Sequence, residues 1–376
     1  VLVGEEALGA FAGDFIGWQS ACFLGMDMMD RRMFLRAAGV GAASVAFADG
    51  LERIRVGQMG SQHAHAAGKL EAVRRLAKDF EVVGIAGADE RLGAAYDGVA
   101  RVSEQALLDD RSVKMILVET RIEDATAAAL RAVRAGKHVH LDKPGGLDHA
   151  TFAAMRREAE GAGLTVQMGY MLRHNPAFDM LFQGVREGWF GEILEIDAMM
   201  GKLADPRTRT TIGALEGGGM FELACHVIDA AMTLLGKPSE VHAFSTPTQG
   251  DGVKDHQLAV LVYPKATATI RCNHADPNGG PRRRFQVAGT KGAMEILPLE
   301  SGKATLWLDE ARGPWKKGMQ SVTFPLGKGR YDGEFVELAR VIRSGGRERL
   351  RWDAAHDVAV HETVLRAAGI WKGDRA

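Results

Sequence analysis

Ile54-Arg55-Val56-Gly57-Gln58-Met59-Gly60-Ser61-Gln62-His63-Ala64-His65 is an apolar run that enters a turn with two glycines. Residues 65–78 follow it with helical spacing, placing Leu70, Val73, Leu76 and Ala77 on one face. Strand, glycine turn and helix in that order are the opening unit of an α/β sheet. The pattern repeats downstream. Strands are predicted over 81–86, 115–118, 138–141 and 164–168, and a helix rich in Ala, Leu and Arg over 124–135. Strands alternating with helices of that length predict a parallel sheet. Its ligand crevice should lie beyond the carboxyl ends of the strands. From about Tyr170 the style changes. Strand candidates over 193–199, 256–263, 266–273, 285–288 and 293–297 follow one another directly. Tyr263-Pro264-Lys265 and Gly289-Thr290-Lys291-Gly292 read as hairpin turns between them. Helices are expected over 334–342 and 354–370. The fold class is therefore α/β: a Rossmann-type doubly wound parallel sheet over 51–170, then an α+β domain with a large, mostly antiparallel open sheet over 171–376.

The opening turn carries only part of a dinucleotide fingerprint. A phosphate turn needs glycines for the sharp bend, for backbone approach to pyrophosphate and for close helix packing. With Gly60 as the first glycine, Gln62 stands at the second and His65 at the third. Gly57, Gly60, Ser61 and Gln62 remain the candidate cofactor residues, with the Ser61 hydroxyl and backbone amides toward phosphate. At the end of the second strand Gly87 stands where a ribose-binding acid is usual, and Asp89 comes two residues later. An Asp89 that reaches the ribose would favour NAD. One that does not would favour NADP, with Arg91 as the phosphate partner. His63 and His65, at i and i+2, are expected to face apart on a strand-like turn. They read as polar turn residues near the cofactor, and no metal site is expected.

Two further stretches carry chemistry. Gly136-Lys137-His138-Val139-His140-Leu141-Asp142-Lys143-Pro144 ends a strand in acid, lysine and proline at the ligand-facing edge. There Lys143 could donate to a substrate hydroxyl oxygen. Gly217-Gly218-Gly219-Met220-Phe221-Glu222-Leu223-Ala224-Cys225-His226-Val227-Ile228-Asp229 opens a helix with a glycine run. Glu222, His226 and Asp229 fall at i, i+4 and i+7, hence on one helix face. A carboxylate, an imidazole and a second carboxylate on an apolar helix are costly unless they work or pair. His226 suits proton removal from a hydroxyl, with Glu222 or Asp229 orienting it. A three-residue metal cluster and a merely paired core histidine are the alternatives.

Together these motifs resemble the glucose–fructose oxidoreductase/inositol dehydrogenase (Gfo/Idh/MocA) family, over most of the chain from about Arg53. Gly169-Tyr170-Met171-Leu172-Arg173-His174-Asn175-Pro176 resembles its domain-crossing segment. The resemblance implies that Lys143 is the catalytic lysine touching substrate and nicotinamide, and His226 the general base. It implies that Glu222 is the acid one turn earlier, where Asp is usual, and that Asp142 near the ribose replaces a Glu. Arg173, His174 and Asp229 are expected along the substrate cleft. Lys143→Ala is expected to abolish turnover while sparing the fold. NAD or NADP is the implied cofactor. A sugar, cyclic polyol or similar secondary alcohol is the implied substrate, and a homo-oligomer formed through the C-terminal sheet the implied assembly. Alternatives on the same scaffold are a dinucleotide-silent sugar-binding or assembly protein and an NAD-dependent glycoside hydrolase.

Composition and the first fifty residues set the surroundings. A net charge of −1 gives no field that would draw the chain to nucleic acid or anionic lipid. The three cysteines, Cys22, Cys225 and Cys272, form neither a disulfide framework nor a C-x-x-C zinc pair. Asp30-Arg31-Arg32-Met33-Phe34-Leu35-Arg36 precedes a small-residue apolar run ending Ala46-Phe47-Ala48. A twin-arginine head, a short apolar middle and an A-x-A end predict a Tat-type signal peptide within residues 1–50. The run is too short to span a bilayer, so no stable membrane insertion is expected after cleavage. Residues 1–25 have no role in such a signal, and Met26, Met28 or Met29 is the expected start. Periplasmic or otherwise exported location follows. That route moves folded proteins, so the cofactor would be loaded before export, held tightly and recycled in place. Arg282-Arg283-Arg284 is expected to be mostly solvated, with one arginine a candidate for the pocket, and Trp189-Phe190 to be core.

Overall fold

A computed structural model describes residues 52–90 and 92–373. The signal-peptide reading, Cys22 and Arg91 lie outside the described residues. The first strand, β1 (Ile54–Met59), is buried throughout except at Arg55. That is the demand of a parallel sheet covered on both faces. It is followed by α1 (Ala66–Arg75), β2 (Phe80–Ala86), α2 (Glu104–Asp109), β3 (Val113–Val118), α3 (Ile122–Arg134), β4 (His138–Leu141), α4 (His149–Gly161) and β5 (Val166–Met168). The strands lie in the order β2-β1-β3-β4-β5, every pair parallel. The order reverses between β1 and β3, which opens a crevice beyond their carboxyl ends.

Helix starts follow local chemistry. The Asp148 carboxylate accepts the Thr151 amide at the start of α4. Asn175 accepts the Ala177 amide at the start of α5 (Pro176–Arg186), where Pro176 occupies the first turn.

The second sheet is built from β6 (Ile193–Met199), β7 (Glu240–Thr246), β8 (His256–Val262), β9 (Thr267–Asn273), β10 (Arg284–Gly289), β11 (Gly292–Ile296), β12 (Lys303–Leu308) and β13 (Gly318–Thr323). Their order is β13-β12-β11-β10-β6-β9-β8-β7, antiparallel except where β6 meets β9. Between β6 and β7 run α6 (Pro206–Ala214), α7 (Gly218–Glu222) and α8 (Cys225–Leu235). Along β8 burial alternates, with Gln257, Ala259 and Leu261 inward. The outer face leaves apolar groups uncovered. Trp307 stands directly opposite Met319, and both are exposed.

The closing helices, α9 (Asp332–Arg343) and α10 (Ala354–Ala367), pack back toward the first sheet. Glu334 of α9 pairs with Lys69 of α1, and Asp357 of α10 with Arg156 of α4. Residues beyond 330 thus brace both sheets. Among the described residues no helix is long and apolar enough to cross a membrane.

Three strands, β7, β12 and β13, are absent from the sequence reading. Six of the seven residues of β7 are exposed, so it carries no apolar alternation. The expected single helix from Gly217 to Asp229 is also different: α7 ends at Glu222 and α8 starts at Cys225.

Candidate active site

The carboxyl ends of the parallel strands present Gly60, Gly87, Glu119, Asp142 and Gly169 along one edge. Gly60 has φ of 82°, and a Cβ there would lie 2.6 Å from the Thr120 Cα. Only glycine allows the turn to close against the end of β3. Gly57, expected at the cofactor, lies within β1 instead; its missing side chain makes room for Leu107 of α2. Gln62, at the second fingerprint position, serves as a bridge to the second strand. Its amide nitrogen donates to the Gly87 carbonyl at 2.9 Å and to the Asp89 carboxylate at 3.0 Å. The Asp89 N–H donates to the Ser61 hydroxyl at 2.9 Å. The β1 turn is thereby tied to the end of β2. Beside it lies a cleft of 420 Å³ lined by Gln62, Gly87, Asp89, Thr120, Arg121 and Arg131. A cleft at the switch point, with Asp89 for a ribose and the guanidinium groups of Arg121 and Arg131, paired with Asp124 and Glu104, at its wall, fits the adenosine end of a dinucleotide.

Farther along the edge stand the reacting groups. The Lys143 ammonium donates to the Glu222 carbonyl at 2.6 Å and to its carboxylate at 3.1 Å. The Lys143–Pro144 peptide is cis. Burial works against a charged Lys143, but the Glu222 carboxylate prevails and raises its pKa above the ordinary lysine value. Burial likewise opposes a charged Glu222, and the Lys143 ammonium overrides it, holding that carboxyl at about 2. Both therefore carry charge at neutral pH. His226 is buried, with Nδ1 lacking any hydrogen-bond partner. Burial first, then the positive charge of Lys143, pushes its pKa well below the ordinary imidazole range. It is neutral and able to accept a proton. Gly219 has no side chain because the His274 ring fills that space; a Cβ there would lie 2.2 Å from its Nε2.

Several expected site residues are engaged elsewhere. Arg173 is buried and clamps Asp229 with two bonds, at 2.6 and 3.0 Å, while reaching Asp357 at 2.7 Å. Asp229 also meets His356 at 3.1 Å. Arg173 and Asp229 thus form an internal ion-pair network rather than a substrate wall, and Asp229 does not orient His226. His174 is held by Arg351 at 3.1 Å and packs on Trp352. The three arginines of the 282–284 run pair with Asp276, Glu300 and Asp197 respectively. Trp189 and Phe190 are core, and Cys225 and Cys272 are free and buried.

His63 and His65 do not face apart. Both Nδ1 atoms lie 3.1 Å from the same Asp142 oxygen. The other Asp142 oxygen accepts the Lys143 amide at 2.7 Å. Burial pushes the His65 pKa down to about 4 against the pull of Asp142. The reading missed Glu119, which is fully buried at the end of β3. Burial and then the neighbouring Asp142 raise its pKa well above the carboxylate range, so of the two acids Glu119 is the one that takes up a proton. The available signal was an acid directly after an apolar strand, the position Asp142 occupies after β4. Lys69, which donates to Glu334 beside His140, was also missed; it looks in sequence like any helical lysine.

A dinucleotide cleft at a Rossmann switch point, leading to a buried lysine, an acid and a neutral histidine, defines a nicotinamide-dependent oxidoreductase. Comparison with known proteins agrees. Residues 54–170 match the oxidoreductase-family NAD-binding Rossmann fold of Gfo/Idh/MocA proteins, and residues 178–295 match the Gfo/Idh/MocA C-terminal domain. The chain belongs to the Gfo/Idh/MocA oxidoreductase family. An uncharacterized oxidoreductase of Rhizobium meliloti, ORF334, is 28% identical over 65% of this chain and 75% of its own. A D-xylose 1-dehydrogenase (NADP(+)) of Haloferax volcanii is 27% identical over 77% of this chain and 89% of its own. The structure of levoglucosan dehydrogenase in complex with NADH and levoglucosan superposes with a TM-score of 0.73 at 18% identity, covering 85% of this chain and 97% of that one. That likeness is one of fold.

Proposed function

We propose that this protein oxidises a secondary alcohol of a sugar or cyclic polyol with tightly bound NAD, after export by the twin-arginine route. The observation that carries the reading is the Lys143–Glu222 pair set at the carboxyl edge of the sheet beside the neutral His226, whose Nδ1 has no hydrogen-bond partner. Gln62, Ser61, Asp89 and Arg121 would hold the adenosine and phosphate end, and Lys143 the nicotinamide end; Asp142, its oxygens taken by the Lys143 amide and the two histidines, fixes the backbone of that lysine instead. The bound dinucleotide would supply the hydride acceptor.

The chain's own residues supply the rest. Lys143, fixed as a cation by Glu222, stabilises negative charge developing on the substrate oxygen. His226 takes the hydroxyl proton. Its burial makes it a weak base, so proton uptake has to be concerted with loss of hydride from the carbinol carbon. Atoms balance as alcohol to ketone, with one proton to His226 and one hydride to the acceptor. Asp89 stands in the adenosine cleft as a carboxylate, which supports NAD over NADP. The relatives' names supply the substrate class: a D-xylose dehydrogenase and a levoglucosan dehydrogenase. We also propose a homo-oligomer through the outer face of the second sheet, where Trp307 and Met319 are uncovered.

The decisive experiment denatures protein purified from the cytoplasm and identifies released small molecules by mass spectrometry. It then screens aldoses, anhydrosugars and inositols for NADH formation. Near-stoichiometric NAD together with turnover of one such alcohol is expected. Protein that releases no dinucleotide and takes up none when it is added would overturn the reading.

A further inference from the structure

We propose that His63, His65, Asp142 and Glu119 bind one divalent first-row transition-metal ion beneath the opening turn of the first sheet. The first support is geometric. The ligand atoms of His63, His65 and Asp142 lie within 4.8 Å of one another. Each imidazole Nδ1 is 3.1 Å from one Asp142 oxygen, and the His63 Nδ1 is 3.7 Å from a Glu119 oxygen. Ligands about 2.0 to 2.1 Å from a tetrahedral ion stand about 3.3 to 3.4 Å apart. Small side-chain shifts would bring His63, His65 and Asp142 to that spacing, and Glu119, 3.7 Å from the His63 Nδ1, stands beside them as the fourth group.

The second support is an excess of acceptors. His63 Nε2 lies 3.1 Å from the Lys143 carbonyl, which can only accept, so that nitrogen carries the hydrogen. In the neutral ring Nδ1 is then a lone pair. It receives the His65 amide at 3.2 Å, yet two carboxylates also converge on it. Neither oxygen of Glu119 has a hydrogen-bond partner, and that side chain has no exposure at all. Lys69, the nearest cation on α1, is paired with Glu334. A buried acid faced by no donor is costly whether it stays ionised or takes up a proton, as Glu119 does, and a metal ion binding there would release that proton. A metal ion facing both imidazoles and both acids would answer all four groups, with His63 giving up its weak bond from the His65 amide.

The ligand types set the class of ion. Two imidazoles with carboxylates suit Zn²⁺, Fe²⁺, Mn²⁺ or Co²⁺, whereas Mg²⁺ and Ca²⁺ prefer oxygen alone and Cu⁺ prefers sulfur. Its place also matters. His63 meets the Lys143 carbonyl, and Asp142 accepts the Lys143 amide at 2.7 Å. An ion on those two side chains would fix the backbone that carries Lys143, which makes it a positioning element. This inference does not depend on the alcohol or the dinucleotide, because binding of the ion can be read by itself.

The test uses the full chain, stripped with a chelator and titrated with Co²⁺ without dinucleotide. Uptake is followed by calorimetry and by visible absorption, and Zn²⁺ is then used to displace the cobalt. One equivalent per chain is expected, with the intense visible bands of a four-coordinate nitrogen–oxygen site. His65→Gln and Glu119→Gln should each weaken Co²⁺ binding about 10- to 100-fold or more. His242→Gln, on an exposed strand, should leave it unchanged. Circular dichroism of Glu119→Gln, which keeps side-chain shape, separates loss of metal from loss of fold. Wild-type protein that takes up neither Co²⁺ nor Zn²⁺ would overturn the proposal. So would uptake that both variants retain in full.

Discussion

The Lys143 ammonium is held by both oxygen types of a single residue, the Glu222 carbonyl at 2.6 Å and the Glu222 carboxylate at 3.1 Å. Lys143 follows strand β4 of the first sheet and Glu222 ends helix α7, so their contact joins the edge of the first sheet to the helix run that accompanies the second. Lys143→Met should lower kcat by about a thousandfold or more, as for loss of a charge that stabilises the transition state. The sequence alone suggests that losing Lys143 spares the fold; its buried pairing with Glu222 predicts that stability falls as well. Removing one partner of a buried pair leaves the other uncompensated, at about 3 to 5 kcal/mol. Urea unfolding of Lys143→Met beside a Lys143→Met/Glu222→Gln double variant checks this; the double should recover part of the loss.

Glu222→Gln gives a separate signature in pH. Glu222 raises the Lys143 pKa, so its loss lets burial pull that pKa down. The alkaline limb of the kcat/KM profile should move to lower pH. An unmoved limb would mean that Lys143 ionisation does not govern it.

Arg173 should behave as a structural residue. Its guanidinium serves Asp229 and Asp357 together in a buried site. Arg173→Ala should cost about 3 kcal/mol or more by stranding two carboxylates. Arg173→Lys should also be destabilising, because a single ammonium cannot reproduce the two-bond grip on Asp229. Both should show in the urea midpoint. A variant of normal stability with a raised KM would return Arg173 to the substrate cleft.

Acid should destabilise the protein early. Burial holds His65 and His361 at about 4 and His174 at about 3, against an ordinary 6.5. Below pH 6.5 the unfolded chain binds protons at these imidazoles while the folded chain does not. Stability therefore falls with pH from about 6.5 down to the folded values, by up to about 1.4 kcal/mol per pH unit for each group. Glu222 and Glu334, both held at about 2, add a second loss as pH falls from 4.5 toward 2. Chemical denaturation at a series of pH values should show the decline starting above pH 5. A flat profile down to pH 5 would contradict the buried-neutral assignment.

Asp89 should decide the nucleotide. It lines the adenosine cleft and is fixed from two sides by Gln62 and Ser61. Asp89→Ala should weaken NAD binding about tenfold, the worth of one good hydrogen bond to a charged group, and should leave NADP unchanged or tighter. Titration of stripped protein with each nucleotide checks this; equal losses would remove Asp89 from nucleotide choice.

The architecture was legible because its signals are local. Both sheets, their change of style near Tyr170 and the two hairpins turning at 263–265 and 289–292 could be read from apolar periodicity and turn residues. So could Lys143, Glu222 and His226, since a strand end and a glycine-opened helix each announce themselves in a few residues. Strands β7 and β13 carry no apolar alternation to read, since β7 buries no residue and β13 only Val322; β12 does alternate, with Ala304, Leu306 and Leu308 inward, and was missed.

Periodicity also misled. Glu222, His226 and Asp229 share a stripe only if the helix is continuous, and it breaks at Leu223-Ala224: Glu222 pairs with Lys143, Asp229 with Arg173, and the His226 Nδ1 with neither acid. The sequence by itself determined which strands and helices form and where the chemical groups stand along the chain. The tertiary structure decided which charges neutralise one another. Arg173 chose Asp229 over a substrate, and a turn at Ala64 folded two alternating histidines onto one carboxylate. Backbone preferences act between near neighbours. Pairing of buried charges depends on groups 56 to 265 residues apart, such as Arg173 with Asp229 and Lys69 with Glu334, which only the packed chain brings together.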